Sequence, residues 1–144
     1  MPKPAIDGRY ELFAHEADIG IRGWGSTKAV AFAQAALGLT AVVTDPAEVN
    51  ACTSVAIECA APNDVTLFVD WINALIFEMA VRKMLFARFE MAIEQGKLTA
   101  TAWGEAVDRV RHEPAAEPKG ATYTEARVQC DADGVWTAQC VVDV

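Results

Sequence analysis

The residue types that could do chemistry gather in FAHEADIGIRGWGST, residues 13–27, where His15, Glu16 and Asp18 stand beside Gly20, Gly23 and Gly25. Glycines ahead of a helix could hold a phosphate on free backbone N–H groups. Yet GIRGWGS has neither the dinucleotide-binding spacing nor the Gly-Lys-Ser/Thr ending of a P-loop, so a plain turn is the better reading. Nucleophilic catalysis needs a serine or cysteine beside an activating base. The two histidines, His15 and His112, lie in no such signature, and His15 reads as a side chain that orders its loop. Carboxylates remain. Asp18 stands at a strand boundary with its oxygens free. The chain ends VVDV, where Asp143 brings a carboxylate and Val144 a carbonyl oxygen and the α-carboxylate. Such oxygen donors suit a hard cation such as Ca2+, whereas zinc prefers nitrogen and sulfur. If the last strand runs beside DIGIR, Asp18, Asp143 and Val144 form one metal site; the alternative is a solvated acidic end.

The elements that must position these residues follow from periodicity. RYELFAH and DIGIRGWG read as strands on either side of the histidine-containing loop. Ser26 or Thr27 caps a helix with an apolar face of Phe32, Ala36, Leu39 and Val43, ending at TDP. TSVAIECAAP is a strand with Val55, Ile57 and Cys59 on one face. Asn63 and Asp64 open a second helix, over which Phe68, Trp71, Ile72, Leu75, Ile76 and Met79 recur at helical spacing as a core stripe. The period then changes to two: Phe89, Met91 and Ile93 alternate with Arg88, Glu90 and Glu94, and Gln95-Gly96 returns the chain through Leu98, Ala100 and Ala102. DRVRHEPAAEPKG reads as a mobile loop. ATYTEARVQC and VWTAQCVVDV close the chain as a hairpin around DADG. The class is α+β, with two helices (27–43 and 64–82) packed on an antiparallel-rich β-sheet in a single layered domain, residues 1–144.

Composition narrows the function. A chain of 144 residues, 53% apolar and 22% charged, reads as one globular domain. A net charge of −8 argues against a broad nucleic-acid footprint and favours an acidic surface that meets a basic partner or holds metal. Cys52, Cys59, Cys130 and Cys140 form no C-x-x-C pair and read as small apolar fillers. MPKPAIDGRY shows no apolar leader and the longest apolar run is too short for a bilayer, so the expected location is cytoplasmic, without a membrane.

HEADIGIRGWGST followed by an alanine-rich helix resembles the opening signature of the archease family. LFVDWINALIF, LFARFEMAI, LTATAWGE, RHE, PKGATYT and GVWTAQCVVDV keep the order and spacing of that family's later segments, so the resemblance spans about Tyr10 to Val144. It departs from the pattern in HEPAAEPKG, where the family tends to be more charged. It departs also at Gly120, where a larger apolar residue is more usual. The resemblance implies a non-catalytic accessory protein of the RtcB-type RNA ligase, which joins RNA ends in tRNA splicing and repair. Such proteins promote the ligase's guanylylation by GTP and its turnover, and touch RNA only through the ligase. It further implies a divalent cation, usually calcium, held by residues matching Asp18, Asp143 and the main-chain oxygen of Val144. The competing readings are a small metal-dependent hydrolase, with Asp18 as ligand and His15 as acid or base, and a chaperone-like binding module.

Overall fold

A computed structural model describes residues 8–144; the reading of MPKPAID as free of an apolar leader lies outside the described residues. Strands β1 (Gly8–His15) and β2 (Asp18–Gly25) form a hairpin across the two-residue turn Glu16-Ala17, with Glu16 in the left-handed region at φ 55°. Helix α1 (Lys28–Val43) starts where the Thr27 side-chain oxygen accepts the Val30 N–H at 3.1 Å, satisfying one of the donors that a helix start leaves free. A 3-10 turn at Pro46–Glu48 leads to β3 (Thr53–Ala60). Asn63 then caps α2 (Asp64–Arg82) by accepting the Thr66 N–H at 2.9 Å, and Lys83 ends it in the left-handed conformation, φ 54°. The hairpin of β4 (Met84–Glu94) and β5 (Lys97–Ala106) turns at Gln95 and Gly96, both at positive φ, as a two-residue type I′ turn requires. A one-turn helix α3 (Arg109–His112) precedes β6 (Gly120–Cys130) and β7 (Trp136–Asp143), joined through the DADG turn.

The α+β class and the antiparallel pairing agree with the sequence. The strands, however, divide between two sheets rather than one: β1-β2-β7-β6 and β3-β5-β4. Both helices touch both sheets, and the two sheets and two helices together supply the main core, with a small second cluster of Val43, Val49 and Leu85 beside it. Trp71 sits at its centre, fully buried, where its indole N–H donates to the Phe32 carbonyl of α1 at 3.1 Å. Its ring meets Phe89 of β4 edge-on, with centroids 5.9 Å apart. Phe32 and Phe68 lock the two helices by a second edge-to-face contact at 5.0 Å.

The glycine triplet belongs to neither a turn nor a phosphate cradle; it lies within β2. A Cβ at Gly23 would stand 2.3 Å from the Ala31 carbonyl oxygen, so its absence lets α1 settle onto the sheet. On the other face the Phe13 ring lies over Gly20, where a Cβ would come within 2.1 Å. The 108–119 segment is likewise more ordered than its prolines suggest. His112 is buried, and the Ala115 N–H donates to the Val43 carbonyl at 2.8 Å. No helix among the described residues is long and apolar enough to cross a membrane.

Leu75, almost wholly buried in the α2 stripe, should lose about 2–5 kcal/mol of stability on replacement by alanine, read from urea unfolding. The four thiols are free, and burial pushes Cys140 up to about 12. Iodoacetamide should therefore label exposed Cys52 and Cys130 in the native protein and Cys140 only after denaturation, while reductant leaves the melting temperature unchanged.

Candidate metal centre

Strand register decides which chemistry-bearing residues meet. His15 ends β1 opposite Asp18, which begins β2. On the other side of β2 the ladder with β7 runs to Ile19 opposite Val142, and one further residue in that register sets Asp18 opposite Asp143. Asp143 in turn faces Gly120 at the start of β6. His15, Asp18, Asp143 and Gly120 thus form one row across the four-stranded sheet, on a single face, because directly opposed residues of antiparallel strands share a face. The Lys119 N–H donates to the Asp143 carbonyl at 2.8 Å and fixes the end of β7. Val144 follows, half-buried and packed against the main core.

Two carboxylates opposed in this way have Cβ atoms about 4.5–5.5 Å apart and repel each other. No ion pair or side-chain hydrogen bond among the described residues engages either of them. Asp18 is half-buried and Asp143 exposed. No group of three or more His, Cys, Asp or Glu side chains converges as a metal cluster among the described residues. What the fold brings together is a pair of unpartnered carboxylates with main-chain oxygen beside it, a donor set of the hard-oxygen type.

The chain matches the archease protein family (MTH1598/TM1083) over residues 10–144. It is 34% identical over 140 residues to the archease of Pyrococcus furiosus, covering 94% of this chain and 99% of that protein. It belongs to the archease family. The solution structure of Methanobacterium thermoautotrophicum protein 1598 superposes with a TM-score of 0.79 at 28% identity, over 94% of this chain and 98% of the other. A Thermotoga maritima archease, described as a possible chaperone, shares the fold with a TM-score of 0.55 at 19% identity, over 100% of this chain and 98% of the other.

Two positioning devices of this protein carry no signal singled out from sequence. Asn73, a polar residue within the apolar α2 pattern, accepts the Ala121 N–H at 2.8 Å and donates to the Ala121 carbonyl at 3.2 Å, pinning the start of β6 beside Asp143. Glu105 of β5 gathers the Asn50 backbone N–H at 2.8 Å, Arg111 at 2.7 Å and His112 Nε2 at 2.9 Å. His112 Nδ1 accepts the Asp108 N–H at 2.9 Å, which leaves Nε2 to donate. This lock holds the segment that leads to Lys119. The Asn50 N–H first, then Arg111 and His112, pull the Glu105 carboxyl down to about 2. Its stabilisation is present above the ordinary carboxylate range and is lost as pH falls through about 2. Glu105→Gln should accordingly lower the melting temperature at pH 7, and the gap to wild type should close steadily as pH drops below about 4.5, followed by calorimetry.

Proposed function

We propose that this protein is a non-catalytic accessory protein of an RtcB-type RNA ligase, and that Asp18, Asp143 and the main-chain oxygen of Val144 hold a divalent cation, calcium by the chemistry of the donors. The observation that carries this reading is the Asp18–Asp143 juxtaposition: two like charges opposed across a ladder and lacking any partner among the described residues. A bound cation would convert that repulsion into attraction and order the ends of β2 and β7. Membership of the archease family supports the ligase as partner. When bound, the cation would offset the mutual repulsion of the two carboxylates and cross-link the ends of the inner strands β2 and β7. The chain's own residues do the rest: β6 and Lys119 hold the end of β7, and the His15–Asp18 turn holds the start of β2.

The role follows from charge placement. A ligase site that holds GTP and RNA ends is basic, and a compact protein of net charge −8 is drawn to it. Carboxylates presented there would favour guanylylation by positioning charge, and RNA is met only through the ligase. The hydrolase alternative requires turnover by the protein alone.

Asp18→Ala, and separately removal of Asp143 and Val144, should weaken calcium binding about tenfold or more by calorimetry with the fold intact. With ligase, GTP and Mn2+, the wild-type protein should raise the guanylylated fraction, and both variants should lose that stimulation. The effect should decline as salt passes about 0.15 M, where the Debye length is about 8 Å. Unchanged calcium affinity in both variants removes the site; phosphoester turnover by the isolated protein removes the non-catalytic role.

A further inference from the structure

The C-terminal half of α2 is not covered as the rest of that helix is. Between it and the 114–118 segment runs a groove of about 460 Å³, floored by Ile76, Met79, Met84 and Leu85 and walled by Pro114 and Pro118. From its edge an apolar strip continues over exposed Ala80 to Phe77 and Val81, which are 60% and 63% exposed. These positions, spaced by three and four along α2, form adjacent rows on one helical surface. Large aromatic and aliphatic side chains grouped in this way at a groove mark a surface that another chain covers.

Charge says what kind of chain. The groove is lined by two cations, Lys83 and Arg109, and a single carboxylate, Glu117, in a protein whose net charge is −8. Neither cation is in an ion pair among the described residues, whereas nearby Arg82 and Arg111 are taken up by Glu78 and Glu105. An acidic segment is repelled by the protein as a whole and attracted here. A second copy of this chain is disfavoured, because a two-fold contact through the strip would set the same cations against each other.

We infer that this groove docks an apolar segment of the partner protein flanked by aspartate or glutamate, presented as a helix or an extended strand. The inference rests on the accessory-protein reading and gives it a second point of attachment. The groove wall runs through Pro118 directly into Lys119, whose N–H holds the Asp143 carbonyl at 2.8 Å. A segment seated there lies against the same stretch of chain that supports the Asp18–Asp143 pair. The two contacts have opposite polarity: carboxylates offered at the ends of the inner strands β2 and β7, cations and apolar surface offered in the groove. Opposite polarity fixes orientation as well as affinity.

The test measures binding of the purified cognate RtcB-type ligase by calorimetry to wild type, Ala80→Glu and Arg109→Glu. Ala80 and Arg109 are both solvent-exposed, and neither is in an ion pair or side-chain hydrogen bond among the described residues, so both variants keep the fold. Each should weaken ligase binding by about tenfold or more, with melting temperature and calcium affinity unchanged. Arg109→Glu should also flatten the salt dependence of the affinity. If wild type binds and stimulates the ligase and both variants bind equally well, the groove assignment is overturned while the accessory role stands. If wild type neither binds nor stimulates, the accessory role fails and the groove assignment with it. A wild-type dimer in sedimentation that Ala80→Glu dissolves would overturn the assignment in favour of a second copy.

Discussion

The pairing of β2 with β7 is the constraint on which the site depends. It joins strands from near the two ends of the chain, and its register decides whether Asp18 and Asp143 share a face. Side chains alternate along a strand, so a slip of one residue would turn one carboxylate to the opposite side. Burial prevents the slip. Ile21, Ala138, Cys140 and Val142 all point into the core from this ladder and are fully buried. The outer face adds a polar check at the same register, where Arg22 sits directly opposite Gln139 and its Nε–H donates to the Gln139 side-chain Oε1 at 2.7 Å. Gln139, itself buried, donates in turn to the Glu125 carbonyl at 2.9 Å and so ties β6 to the same ladder. A register fixed by packing on one face and hydrogen bonds on the other places two acidic groups where their repulsion alone would not.

The charge distribution acquires a consistent meaning from this geometry. Opposed carboxylates with no partner among the described residues reward anything positive that arrives, whether a cation or a basic surface. At the other end of the 114–119 segment, the α2 groove offers the reverse polarity. The segment between them is held by the Glu105–His112 lock and by the Ala115 N–H bond to the end of α1, so the two surfaces have a fixed relation. The proposed accessory role, in which charge is positioned and no covalent step is taken, depends on that rigidity.

Local elements were legible from sequence because their causes are local. The caps at Thr27 and Asn63, the Gln95-Gly96 turn and the α2 stripe around Trp71 and Leu75 are each written within a few residues. The division of the strands into two sheets was not, since pairing such as Ile19 with Val142 is set by packing across the whole chain. The glycines of β2 looked like turn residues because sequence does not reveal that a helix backbone will lie against Gly23 and an aromatic ring over Gly20. His112 sits among prolines and charges, which read as a mobile loop; its Nε2 partner, Glu105, is only 7 residues away along the chain, but as a strand residue of β5 it gave no sign of that contact. The register break in β6 between Thr122 and Arg127, with Glu125 at φ 55°, has no glycine or proline to announce it. Asp18 and Asp143 were identified by residue type and position, and the ladder supplies the reason they meet.

The central claim is that one cation bridges the start of β2 and the end of β7. Paramagnetic Mn2+ added in substoichiometric amounts to the isotope-labelled protein tests it directly, because line broadening reports proximity to the metal residue by residue. The account predicts that the amides of Asp18, Ile19, Asp143 and Val144 broaden first, and that excess calcium restores them. Broadening centred instead on Asp131 and Asp133 of the β6–β7 turn, with Asp18 and Asp143 unaffected, would contradict it.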